Sequence, residues 1–345
     1  MPTGVTALEK TLIGVEASAG ATTDTVTTHW RGIGKIRDRL EVVYPPERVG
    51  RIGGTSRHYI PVTGGEPYLE GDATFEQLLY LFNAGIYLAT PTTDASSAIT
   101  RTWSVQSAST DPVATTDLGT LVIESGDNND LDIARFCYVR ELNLTGKQGE
   151  AMQLTATLGS RAPSTSSAFT AVGSTDFENP AETILFSKVG LYIDDTTGTI
   201  GATQKSETIL DMTLRFTTGW VPLEAKDGRL DFSNIKRIDD EIMLDVTFEH
   251  NGVASAERAA WRAGTDRMLR LQWTGNAIST TDSGVSIDTK LFRMDLYGTW
   301  TTFGPEGLEE QNGDNIYRGT FRVAYVPVAA KKADFTIVNE VATLP

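Results

Sequence analysis

The chain has 345 residues, 40% of them hydrophobic and 22% charged, with Lys+Arg 30 against Asp+Glu 45 and a formal net charge of −15. That length exceeds a usual single core and predicts two domains, while the acidic balance argues against a groove that grips phosphates. A single cysteine excludes an intrachain disulfide, and no apolar run approaches the roughly 20 residues that span a bilayer.

Residues 1–30 are rich in Thr, Ala, Gly and Ser around Leu12-Ile13-Gly14-Val15, which predicts an extended arm ordered only against a partner. No charged start followed by a long apolar core marks a signal peptide there, so a soluble product made in the cytoplasm is expected. Trp30 to Val43 reads as strand and ends at Tyr44-Pro45-Pro46-Glu47, where proline stops ladder pairing. The connection to Gly65 carries Arg48, Arg51 and Arg57, a long basic loop in an acidic chain; ordered loops of that length are usually functional. Phe75, Leu78, Leu79 and Phe82 then fall on one helical stripe, with Asp72 as a candidate N-cap and Gly85 as a candidate left-handed C-cap.

Residues 90–130 read as an insertion with short strands at Thr102–Gln106 and Thr120–Glu124. Arg135–Thr145 and Ala151–Ser160 form a hairpin around Gly146-Lys147-Gln148-Gly149. Cys137, inside the first of these strands, reads as a buried structural thiol. Ala162–Asn179, rich in Ser and Thr, reads as a linker. Thr208–Gly219 is a strand ending at Trp220-Val221-Pro222-Leu223-Glu224, and a polar loop with Lys236 and Arg237 runs to Asp240. Ile242, Leu244, Val246 and Phe248 alternate with Met243, Asp245, Thr247 and Glu249. Val253, Ala256, Ala260 and Trp261 make a second helix between Asn251 and Gly264. Leu291–Phe303 and Asn315–Val326 form the last hairpin.

The stretch from Tyr68 to Gly85 and that from Thr247 to Gly264 are two copies of one strand–helix unit. One spacing aligns Glu70 with Glu249, Phe82 with Trp261 and Gly85 with Gly264. A duplicated unit points to two similar domains and symmetric assembly. Chemistry, by contrast, is hard to find. The three histidines, His29, His58 and His250, lack metal-ligand spacing. Gly32-Ile33-Gly34-Lys35 lacks the third glycine of a phosphate loop. Ser125–Asp132 has oxygen ligands out of EF-hand order and reads as a solvated turn. No catalytic, cofactor or metal constellation stands out, so an enzyme is not expected.

Gly14-Val15-Glu16-Ala17, Tyr44-Pro45-Pro46-Glu47, Gly53-Gly54-Thr55-Ser56-Arg57 and above all Leu69-Glu70-Gly71-Asp72-Ala73-Thr74-Phe75-Glu76-Gln77-Leu78 resemble the opening of siphophage tail tube (major tail) proteins with two tandem tube domains. The hairpin ending in Phe321–Val326 is similar to theirs as well. The resemblance implies a mainly β fold: two β-sandwich or barrel domains, each with one flanking helix. Their expected extents are an arm at 1–30, domain 1 at 31–162 with the insertion at about 90–130, a linker at 163–182, domain 2 at 183–327 and an arm at 328–345.

It further implies a structural virion protein of the bacteriophage tail, made in the bacterial host. Trimeric, pseudo-hexameric rings would stack into a tube through which DNA passes without specific binding. Tape-measure and tail-terminator proteins are the implied partners, with no cofactor and no membrane. On this reading Glu70, Asp211, Asp245, Glu249 and Asp295 are candidates to line an acidic lumen. Tyr44, Arg48, Arg51, Arg57, Trp220, Lys236 and Arg237 are candidates for ring-stacking loops, with Glu306–Glu310 as an acidic counterpart. The alternatives are another β-rich phage protein (decoration or baseplate) or a carbohydrate-binding β-sandwich.

Overall fold

The computed structural model describes residues 8–21, 26, 28–50, 52, 55–93, 98–105, 118–127, 129–166, 168–170, 181–206, 208–225, 227–278, 289–304, 310–311, 314–342 and 344. It is mainly β and antiparallel, with helices α1 (Leu78–Gly85) and α2 (Gly252–Ala263) and a 3₁₀ turn at Phe186–Lys188. In the first half the strands are β1 (Lys10–Val15), β2 (Thr28–His29), β3 (Ile33–Leu40), β4 (Thr63–Asp72), β5 (Thr92–Thr93), β6 (Ile99–Val105), β7 (Leu121–Gly126), β8 (Leu131–Lys147), β9 (Gln153–Gly159) and β10 (Ser164–Ser166). In the second they are β11 (Val189–Asp195), β12 (Gln204–Lys205), β13 (Ile209–Thr217), β14 (Trp220–Leu223), β15 (Asn234–Arg237), β16 (Glu241–Glu249), β17 (Arg267–Ala277), β18 (Thr289–Gly304), β19 (Glu310–Gln311), β20 (Asp314–Val323) and β21 (Ala333–Asn339).

One pairing scheme occurs twice. In the first half β3 pairs β4, β4 pairs β9, and the long β8 pairs β9, β7 and β10, with β1 beyond β7. In the second, β13 pairs β16, β16 pairs β20, and the long β18 pairs β20, β17 and β21, with β11 beyond β17. Each long strand therefore runs through two sheets, and the core lies between those sheets. The halves are joined at two seams. Glu141–Lys147 of β8 pair with Asp211–Thr217 of β13, and β21 pairs with β6.

Alternation accounts for the first sheet. Leu142, Leu144, Leu154, Ala156, Leu214, Phe216, Ile242, Leu244, Phe321 and Trp300 all turn one way and are buried, while their neighbours turn the other way. The terminal segments depart from expectation. Residues 10–15 were expected in a free arm, but Leu12 and Ile13 are fully buried in β1, paired to β7. Residues 333–339, expected in the other arm, form a strand buried along its whole length. It is flanked on both edges, by β18 and β6, so Asp334, Thr336 and Asn339 are buried along with Phe335, Ile337 and Val338. The expected insertion likewise reaches the core: Trp103 of β6 is fully buried, its indole donating to Asn83 Oδ1 at 3.0 Å.

The helices differ. In α2, Asn251 accepts from the backbone of Val253 and Ala254 and Gly264 takes φ 62°, so both expected caps stand. Asn251→Ala should therefore lower stability by about 1 kcal/mol, measurable by urea unfolding of the full chain. In α1 both caps are corrected. Asp72 ends β4 and accepts from Gln153 at 2.7 Å, while Thr74 Oγ1 accepts from the Gln77 amide at 3.0 Å. Gly85 lies inside the last turn, and Ile86 follows in a right-handed conformation. A Cβ on Gly85 would come within 3.2 Å of Thr218 and 3.3 Å of Val139, so close approach, not a left-handed bend, favours glycine there. Every residue of α1 is buried, whereas α2 buries only Ala254, Glu257 and Ala260.

Candidate assembly interface

Joined at the β8–β13 seam, the two repeats make one antiparallel sheet in the order β3-β4-β9-β8-β13-β16-β20-β18. At one end, among the described strands, β3 pairs with β4 alone. Gly65 of β4 exchanges both backbone bonds with Ser160, at 3.0 and 2.9 Å. Alternation then turns Glu66, and its partner Arg37, towards each other, and leaves the N–H and C=O of Ile36, Asp38 and Leu40 pointing outward. At the other end, Gly298–Gly304 of β18 pair with β20, and no described strand lies beyond them. An open β edge is a template for another chain.

Four of the five lumen candidates share the polar face of this sheet. The registers place Glu70 on β4, Asp211 on β13, and Asp245 and Glu249 on β16 on that side. Asp295 is corrected. It belongs to the part of β18 in the other sheet, is 4% exposed, and receives two bonds from the Arg270 guanidinium at 2.6 and 2.8 Å. That charge-assisted pair holds Arg270 above its ordinary pKa, its bonds to Asp295 outweighing the burial that acts the other way.

The expectation of an acidic wall is corrected as well. Lys35, Arg37, Arg39, Lys147, Arg215, Arg318 and Arg322 stand among Glu66, Glu70, Asp72, Glu141, Asp211, Glu241, Asp245 and Glu249, so the face is mixed in sign. Asp245 is bonded by Arg215 and by the Thr320 hydroxyl. Arg140 reaches Glu66 at 3.1 Å, and the Tyr68 hydroxyl donates to Glu70 at 3.0 Å. Burial, with the Glu70 carboxylate second, pushes the Tyr68 phenol upward.

The two long loops also part company. In the first, Tyr44 is 64% exposed and stands 5.8 Å from the His58 ring, and Arg48 is exposed. Arg57 is tied to Glu47, whose carboxylate also accepts from Ser56 and is held below its usual range, chiefly by Arg57. Arg51 and residues 305–309 lie outside the described residues, as does the side chain of Glu310. In the second loop, β14 and β15 form a hairpin. Lys236 is exposed, but two candidates there are corrected. Trp220 is 2% exposed, its indole donating to Gly85 O at 2.9 Å, and the Arg237 side chain is buried beside Asp240. Trp220, Phe232 and Ile235 pack with Leu118, Phe136 and Tyr138 of the first half. Arg161 fixes the hairpin from below, donating to Phe232 O and Ser233 O at 3.3 and 2.9 Å.

Elsewhere, the Asp127 carboxylate accepts from the amides of Asn129 and Asp130, which hold it below its usual range in a closed turn. Cys137 is fully buried, and desolvation pushes its thiol well above its usual value. Compared with known proteins, the chain matches no family model and no curated sequence.

Proposed function

We propose that the chain is a structural subunit that closes into a ring and stacks into a tube, as the resemblance to two-domain tail tube proteins implies. The observation that carries this reading is the continuous sheet of two equivalent four-strand units, β3-β4-β9-β8 and β13-β16-β20-β18, with no described strand paired beyond β3 at one end or Gly298–Gly304 of β18 at the other. Gly34 O and Thr301 O there already accept from the Ser125 and Trp261 side chains. The β8–β13 seam gives the pattern by which one unit meets the next. Applied between copies, it sets the β18 end of one against β3 of the next. Three copies would then give six units, close the sheet and leave no free edge.

In that ring the polar face lines the bore and the apolar face lies inside the wall. A wall of mixed sign neither traps phosphates, as a basic one would, nor repels them strongly. This suits a conduit for DNA ejection, with the tail of a virion as the place of action and tape-measure and terminator proteins as further contacts.

Asp38→Pro tests the reading. Its amide points outward, so proline removes an edge donor while leaving the β3–β4 bonds in place. Concentrated wild-type protein should give hollow rings or tubes in negative stain. The variant should stay dispersed with an unchanged melting temperature. Discrete wild-type particles, or tubes from both proteins, would refute edge closure.

A further inference from the structure

We propose that Tyr44 of one copy seats at the C-terminal end of α2 in a second copy, beside Gly264, as Trp220 seats beside Gly85 within the chain. The inference rests on the ring reading and adds the contact that locks neighbouring copies laterally.

The repeat supplies the geometry. Trp220 opens the loop after β13, and β13 lies against β8, the long strand of the α1 unit. Tyr44 opens the corresponding loop after β3, with Val43 and Tyr59 bridging its two arms by backbone bonds of 2.9 and 3.1 Å. Where β3 of one copy lies against β18 of another, the Tyr44 loop falls beside α2 by the same relation.

The surfaces match this expectation. The end of α1 is covered: Gly119 N donates to Asn83 O at 3.0 Å and Trp220 caps Gly85. Among the described residues, no counterpart of Trp220 covers the end of α2. Ala263 and Gly264 are exposed, and an open hollow of about 490 Å³ is lined by Ser255, Arg258, Ala259, Arg262 and Ala263. The β9–β10 connection carries Arg161 beneath the docked hairpin. Its counterpart between β20 and β21 exposes Tyr325 by 43% and Val328 by 74%. On the other side, Val42 and Tyr59 join Tyr44 as exposed apolar groups of the first loop. An exposed phenol in a free subunit is suited to this task, since its ring can bury while its hydroxyl reaches a terminal helix carbonyl.

The test mixes full-length Tyr44→Cys with full-length Ala263→Cys under mild oxidation, the native Cys137 being buried. A 44–263 disulfide between copies is expected, identified by peptide mass. In parallel, Tyr44→Ala should raise the concentration needed for assembly at least about tenfold, with melting unchanged. Rings without the 44–263 link, or assembly of Tyr44→Ala at the wild-type concentration, overturns this contact and leaves the ring reading intact. A link without rings keeps the contact and removes the tube. Neither rings nor link removes both.

Discussion

Trp220→Ala should destabilise the chain by about 3–5 kcal/mol, the range for truncating a buried indole. The ring is 2% exposed and fills the junction between the halves, where Phe136 and Tyr138 both meet Phe232 edge-on, at 5.1 and 5.8 Å between centroids. Its removal empties that site and leaves the Gly85 carbonyl without its indole donor. Trp220→Phe keeps most of the ring and loses the 2.9 Å bond, so it should cost nearer 1 kcal/mol plus a small cavity. Urea unfolding of both variants checks the ratio. Limited proteolysis adds a local readout, because a hairpin released from Arg161 and Phe136 should be cut within 220–238 before the rest of the chain unfolds. Equal losses for the two substitutions would show that the hydrogen bond, not the packing, holds the junction.

This junction also marks where sequence reasoning stops. Helix α2 is legible because its signals are local: Asn251 and Gly264 sit at the ends of the segment they cap. Both hairpins, β8–β9 and β18–β20, announce themselves by alternation and turn residues. Trp220 reads as a loop aromatic because its burial depends on Gly85, far away in the chain. Gly85 misleads for the same reason, its small size serving the distant Val139 and Thr218 rather than a helix cap. Alternation in β13 shows that one face is buried but not that β8 is its neighbour, since any strand of the right pattern would serve.

The C-terminal strand is the clearest case. Its pairing with β6, and the Arg101 guanidinium donating to Val341 O and Ala342 O at 2.7 and 2.9 Å, have no local signature. Asp295 misleads for a related reason. It alternates like a half-exposed residue, but β18 leaves the first sheet at Gly298, where a Cβ would meet Arg322 O at 2.1 Å. Before that point the strand belongs to the second sheet, and Arg270 is there to pair with it.

Lys290→Met should be as damaging as Trp220→Ala, by a different route. Lys290 Nζ and Glu76 Oε1 meet at 2.6 Å with both side chains 3% exposed, and Glu76 also accepts from the Glu182 amide at 2.9 Å. Burial pushes the Glu76 carboxyl above its ordinary 4.5, while Lys290 and the Glu182 amide pull the other way. Removing the ammonium leaves a buried carboxylate without its cation, a loss of about 3–5 kcal/mol at neutral pH.

The sign with pH follows from linkage. A carboxyl whose folded pKa is raised stabilises the fold below its unfolded value, and that contribution is lost as pH climbs through the folded value. In Lys290→Met the raise grows, so the deficit should be largest at neutral pH and shrink as pH falls towards about 5. The double variant Glu76→Gln with Lys290→Met has no charge to strand and should recover most of the loss at every pH. Urea midpoints between pH 5 and 8 for the wild type, the single variant and the double variant decide the matter. A deficit independent of pH, or one that the double variant does not repair, would mean that Lys290 acts through packing of its alkyl stem and not through its charge.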